Sequence, residues 1–315
     1  MSRNKTLLLS LFIFFSCAIY HYIPGSLNAY NHTNVGVPVL FDKDKATANQ
    51  TLLSLLKALS IEHDNSLQDI VSVTQKAWLR KAGQERWDLD TAHSAALNSL
   101  IISHCQQLNM IEEIIPSTKD YTYALVMGAT LDTIRNRFAF LIKLIKLGIR
   151  FDSIVFLTGQ RPLNPTLESA QKLLDITKSS LPCNPNWSLQ GPLPCNETEM
   201  IRMVIDQAAL DSAIKSKIVV VDAPCKINDA GNVIRPTTGD TFASWLKTNP
   251  PAGKALIISS QPYVGYQDMV ARSYLPSTCT VESAGCRYEE PIIDSDLLDT
   301  LARWIYQTNL YLKQQ

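Results

Sequence analysis

Four short turns hold the residues whose types and order suit chemistry. Gly128-Ala129-Thr130 follows the apolar run Tyr123-Ala124-Leu125-Val126-Met127, with Arg135 and Arg137 a few residues on. Thr158-Gly159-Gln160-Arg161-Pro162 follows Ser153-Ile154-Val155-Phe156-Leu157, with Glu168 downstream. Asp222 ends Ile218-Val219-Val220-Val221, and Pro236-Thr237-Thr238-Gly239-Asp240-Thr241 comes later. Ser259-Ser260-Gln261-Pro262-Tyr263 follows Ala255-Leu256-Ile257-Ile258. Small residues at a strand-to-helix turn let backbone N–H groups approach an anion, and helix amino termini favour negative charge. The guanidinium groups of Arg135 and Arg161 complete a set suited to an anionic or phosphate-bearing small molecule.

The expected ligand-binding residues are therefore Gly128, Ala129, Thr130, Arg135, Thr158, Gly159, Arg161, Thr238, Thr241, Ser260, Gln261 and Tyr263. Glu168 and Asp240 are the acid–base candidates. Each residue also has a plainer use. Gly128 and Gly159 serve tight turns, Arg135 and Arg137 suit a solvated helix face, and Thr238 or Asp240 suits a helix cap. Glu168 suits the first turn of a helix, where the dipole favours a carboxylate.

The sequence excludes several chemistries. It has no GxGxxG, GxxxxGK[ST], GxSxG or HExxH, and the cofactor stays unassigned. All five histidines (His21, His32, His63, His93, His104) precede Tyr121, so a strand-end histidine base is ruled out. His93 and His104 stand eleven residues apart. That is about 16 Å along a helix, too far to share an ion, and no metal is expected.

Positioning these turns requires a particular architecture. Runs of four or five apolar residues without polar alternation are strands covered on both faces. Helix-length amphipathic segments lie between them, at about 132–147, 166–180, 197–214, 239–248 and 263–274, with a last one at about 294–312. Alternation of this kind predicts an α/β fold, a Rossmann-like parallel sheet with helices on both faces, over 121–315. Ligands in such sheets bind beyond the carboxyl ends of the strands, at the switch in strand order. Residues 46–120 read as a helical region preceding it, with Asp90 as a cap. In that region Leu52, Leu55, Leu56 and Leu59 recur at helix spacing.

The chain of 315 residues is 46% hydrophobic and 18% charged, enough to bury a large core. Its 29 basic residues cancel 29 acidic ones, which argues against nucleic acid as a partner. Arg3 and Lys5 precede the uncharged stretch Thr6–Tyr20, the pattern of an export signal or membrane anchor over 1–25, followed by a tether over 26–45. Cleavage, lipidation at Cys17 and retention stay open. The expected location is exported: periplasmic, anchored facing the periplasm through the amino-terminal segment, or secreted. In that setting Cys183 with Cys195, and Cys279 with Cys286, read as two local disulfides, and Cys105 with Cys225 as a third bridge or as two buried thiols.

The motifs also support a family resemblance. Tyr123–Thr130 with Arg135, Ile154–Gly159 with Glu168, Thr238–Thr241 and Leu256–Tyr263 are similar to the bacterial envelope-associated family that includes SanA, ElyC and YdcF. Gln160-Arg161 stands where that family has a second Gly, Gly239-Asp240-Thr241 where it has Asn, and Gln261 or Tyr263 near its His. The resemblance implies a role in envelope maintenance, as a hydrolase or transferase acting on an anionic envelope metabolite. Two other readings stay open. One is a non-catalytic module holding a nucleotide-like or sugar ligand; the other is a secreted interaction protein whose helical region meets a protein partner.

Overall fold

The computed structural model describes residues 36–44, 46–81 and 93–315. The expected amino-terminal segment, most of the tether and Asp90 lie outside the described residues. Among the described residues no helix is long and apolar enough to cross a membrane.

Five parallel strands form the central sheet. They are β3 (Asp120–Met127), β4 (Arg150–Gly159), β5 (Ile218–Ala223), β8 (Lys254–Ser260) and β9 (Thr280–Cys286), in the order β5-β4-β3-β8-β9. Two small antiparallel ribbons stand apart from it: β1 (Phe41–Asp42) with β2 (Thr47–Ala48), and β6 (Lys226–Ile227) with β7 (Val233–Ile234). The chain starts at the middle strand β3 and winds out through β4 to β5. It then returns to the other side of β3 as β8 and β9. The order therefore reverses between β3 and β8, which pair from Tyr123↔Ala255 to Val126↔Ile258.

Side chains alternate along each strand, so the two faces collect different residues. On one face Ala124, Val126, Ile154, Phe156, Leu256 and Ile258 pack under α4 (Leu131–Lys146) and α6 (Glu197–Gln207). Phe138 of α4 meets Phe156 edge-on at 5.0 Å there. On the other face Tyr123, Leu125, Met127, Val155, Leu157 and Ile257 pack under α8 (Thr238–Leu246) and α9 (Val264–Tyr274). The α/β expectation is met, with both faces of the sheet covered.

The helical region is not self-sufficient. Helices α1 (Gln50–Ala58), α2 (Leu67–Trp78) and α3 (Ala95–Gln107) share their core with α10 (Asp294–Gln314), through Leu297, Leu298, Leu301, Trp304 and Ile305. Ser94, not Asp90, caps α3 by accepting from Leu97 N. His93 lies just before that helix, 2.7 Å from the buried Asp294 carboxylate, and His104 bonds the Leu100 carbonyl within its own helix.

Three sequence expectations need correction. The segment 166–180 supplies only α5 (Ala170–Leu174), because Pro165 and the turn at Asp175-Ile176-Thr177 interrupt it. The segment 197–214 breaks into α6 and α7 (Ser212–Lys215) at Ala208–Asp211. The cysteine pairs are not bridged: Cys105, Cys183, Cys195, Cys225, Cys279 and Cys286 are all free thiols. Cys279 precedes β9 and Cys286 ends it, so an extended strand holds them about 20 Å apart. Cys183 pairs with Ala208 at the carboxyl end of α6, whereas Cys195 lies before its amino end, about 16 Å away along the helix. A disulfide needs Cα atoms within about 7 Å.

Candidate functional site

Because all five strands are parallel, their carboxyl ends share one edge of the sheet. The β3 turn is latched to β4 there, Gly128 N donating to Leu157 O at 2.9 Å. The loop after β4 carries Arg161 and meets the start of α6, where Glu197 N donates to Arg161 O at 2.9 Å. Asn196 caps α6 by accepting from Glu199 N. This places the Glu197 carboxylate in the first helical turn, a position the helix dipole favours.

These elements build a buried ion cluster. Arg161 grips Glu168 with both ends of its fork, Nη2 to Oε1 at 2.8 Å and Nη1 to Oε2 at 3.0 Å. Its Nε donates to Glu197 Oε2 at 2.9 Å, and Nη1 also donates to Pro162 O. The Glu168 side chain is fully buried, while those of Arg161 and Glu197 are 16% and 12% exposed. Glu168 Oε2 also accepts from Asn164 N at 2.6 Å. Burial opposes the Arg161 charge, but hydrogen bonds and attraction from Glu168 and Glu197 outweigh it and raise its pKa. Burial pushes the Glu197 carboxyl above its ordinary range, against the pull of Arg161. Two carboxylates face one fork, and Glu168 holds the bidentate grip. Glu197, held by a single bond, is the member left to take a proton.

Arg137 is the second cation. It is 1% exposed and lies at the switch in strand order. Its Nη1 donates to Met127 O at 2.8 Å and Gly128 O at 2.9 Å, and its Nε to Ser260 Oγ at 3.1 Å. It thereby ties the β3 turn to the end of β8, and its charge acts on Glu197. Beside the cluster, Thr158 Oγ1 lies 2.7 Å from Thr198 Oγ1 and donates to Val221 O. Thr198 bonds Asp222 Oδ1 at 2.7 Å, and Gln160 donates to Asp222 Oδ2. Hydroxyls and a carboxylate thus join the ends of β4 and β5.

The two glycines allow close approach. A Cβ on Gly128 would stand 2.2 Å from Glu197 Oε1 and 2.8 Å from Leu157 O, and one on Gly159 2.3 Å from Pro236 Cγ. The Pro236 loop therefore lies over the end of β4. Gly128→Ala is expected to displace the Glu197 side chain and strain the backbone, costing about 1–3 kcal/mol by overpacking. Denaturant titration checks this; a stability equal to that of the parent would show that the β3 turn moves freely.

The structure brings Gly128, Gly159, Arg161, Glu168 and Ser260 to this edge, with Ala129 and Thr130 half-buried at its rim. Thr130 is the N-cap residue of α4 and makes no side-chain cap bond. It does not bring Arg135, which sits two residues from Arg137 and on another side of α4. Arg135 donates to Lys172 O, Leu173 O and Gln207 Oε1 instead. Asp240 is a cap carboxylate: Thr237, not Thr238, is the N-cap of α8, and Asp240 closes a capping box with it while pairing with Lys226. Burial opposes ionisation of Asp240, but Lys226 and the Thr237 bonds lower its pKa. Thr241 bonds the Thr238 carbonyl inside the helix. Gln261 donates to Asn109 O and Glu112 O, fastening the helical region, and Tyr263 donates to Asp296. Glu197 and Arg137, absent from the expected set, hold the central positions.

A groove of about 490 Å3 lies at the opposite, amino-terminal edge, lined by Tyr121, Ile149, Phe151, Ile214, Lys217 and Lys254 among others. Its cations are engaged: Arg150 pairs with Asp120, Lys217 donates to Phe151 O, and Lys254 lies 4.6 Å from the Tyr121 ring. Comparison of the chain with models of known families and with curated proteins finds no match.

Proposed function

We propose that the carboxyl edge binds a small anionic molecule, with Arg161 as its charge partner and the β3 turn at Gly128–Thr130 as its backbone wall. The observation that carries this reading is the Arg161 side chain, 16% exposed, whose partner Glu197 reaches the Gly128 turn at the strand ends where doubly wound sheets take their ligands. Arg137 holds the turn in shape from below. A carboxyl with a raised pKa next to that position suits proton transfer to a bound phosphoryl or acyl group, the chemistry of a hydrolase or transferase. The basic and apolar amino terminus supports an exported, envelope-associated setting, in which the ligand is an envelope metabolite. The resemblance to the SanA, ElyC and YdcF family agrees with that setting.

Calorimetric titration with inorganic phosphate, a hexose phosphate and a nucleoside monophosphate tests the reading. At least one is expected to bind, and Arg161→Lys, which keeps the charge but loses the fork, to bind it about tenfold more weakly. Lys254→Met, at the amino-terminal groove, is expected to leave binding unchanged. Failure of all three compounds to bind, or sensitivity to Lys254→Met with none to Arg161→Lys, contradicts the proposal.

A further inference from the structure

Glu197 occupies the ground an incoming anion must share. Its Oε2 takes the Nε edge of Arg161, and its Oε1 reaches the space beside Gly128 where even a methyl group does not fit. The Nη edges of the same guanidinium are held by Glu168, whose carboxylate is fully buried and gripped twice. An anion seeking Arg161 therefore meets Glu197 first. We infer that Glu197 is the gatekeeper of this site: its carboxylate stands in for the ligand when the site is empty, and an anionic ligand enters only together with a proton that neutralises Glu197.

The charges facing Glu197 fit this role. Arg161 comes from the loop after β4, Glu168 from the stretch leading to α5, and Arg137 from α4. On the β5 side Asp222 is reached through Thr198, and beyond Pro236 Lys226 and Asp240 neutralise each other. Arg161 and Arg137 carry the positive charge here, against the carboxylates of Glu168, Glu197 and, one hydroxyl away, Asp222. A further negative charge placed among them is opposed unless one carboxylate is protonated. Glu168 cannot give way without losing three charge-assisted bonds, two from Arg161 and one from Asn164 N. Glu197 loses one, and its neutral carboxyl can turn to donate its proton to a ligand oxygen. The inference rests on the anionic-ligand reading above and adds to it a proton count and a pH dependence.

Sulfate is the probe, because its own charge does not change across the working range. For the wild-type protein, sulfate affinity is expected to fall about tenfold per pH unit above the Glu197 pKa, the slope of one linked proton. Glu197→Gln keeps the shape without the charge. It is expected to bind sulfate with the affinity that the wild type shows at low pH, and to show no slope. Titrations of the wild type in buffers of different ionisation enthalpy provide a second measure, independent of any variant, and are expected to count about one proton taken up per sulfate in the pH range where the affinity falls. Sulfate binding with a flat pH profile and no proton uptake overturns the gatekeeper role and leaves the anion site standing. An equal slope in wild type and Glu197→Gln does the same. Absence of sulfate binding at every pH overturns both.

Discussion

Arg161→Ala is expected to destabilise the protein by about 3–5 kcal/mol at neutral pH, the cost of removing one partner from a buried ion cluster. The loss leaves two carboxylates, Glu168 and Glu197, at 0% and 12% exposure with their shared counter-ion gone. Burial already raises the Glu197 pKa, and without the opposing pull of Arg161 it rises further above the unfolded value. The folded chain holds protons that the unfolded chain has released, and stability falls as pH rises through that window. The deficit of the variant should therefore shrink towards the ordinary carboxylate range and grow above it. Denaturant midpoints measured across pH provide the test. A comparison with Arg150→Ala sharpens it, since the Arg150–Asp120 pair is largely exposed and its loss should leave the midpoint where it was. Equal, pH-independent effects of the two substitutions would mean that the Arg161 cluster is solvated.

Trp304→Ala is expected to cost about 3–5 kcal/mol, the range for emptying a large aromatic site in a packed core. Trp304 is 2% exposed and belongs to the core that α10 shares with α1, α2 and α3. It also lies so close to α9 that a Cβ on Gly265 would meet its ring at 2.5 Å. A cavity at this point loosens α10, α9 and the helices of the amino-terminal region together, so the helical region and the sheet domain should unfold in one transition, earlier than in the parent. Tyr306, two residues on and 43% exposed, is the comparison: Tyr306→Ala should change the midpoint little. Separate transitions for the helical region and the sheet in Trp304→Ala would contradict a common core.

Much of the sheet was legible because burial on both faces removes polar alternation. Tyr123–Met127, Ile154–Leu157 and Ala255–Ile258 each announce such a strand; Ile218–Val221 lies within a strand too, though at the sheet edge Val219 is exposed. β9 did not announce itself. As an edge strand it keeps Glu282 for Tyr121 and Ser283 for Asp268, and its polar residues read as a loop between two cysteines. That misreading produced the expected Cys279–Cys286 bridge. The site was half legible. Turn glycines and Arg161 follow from strand ends, which the apolar runs locate. Choosing Arg137 over Arg135 requires the rotational phase of α4 relative to the end of β3, which spacing along one helix does not supply. Glu197 was hidden by distance: a long, proline-rich excursion separates it from Arg161. The signal available was an acidic residue directly after an Asn cap, at the start of a helix with an apolar face. In the sequence the same Asn196-Glu197-Thr198 reads more readily as a glycosylation triplet.

The anion site itself is tested most directly by soaking crystals in selenate and locating the selenium by anomalous scattering. The account predicts a peak beside the Gly128 turn with an oxygen about 3 Å from an Arg161 nitrogen, stronger at low pH than at high. A peak in the amino-terminal groove near Lys217 and Lys254, with none at the Arg161 cluster, would contradict it.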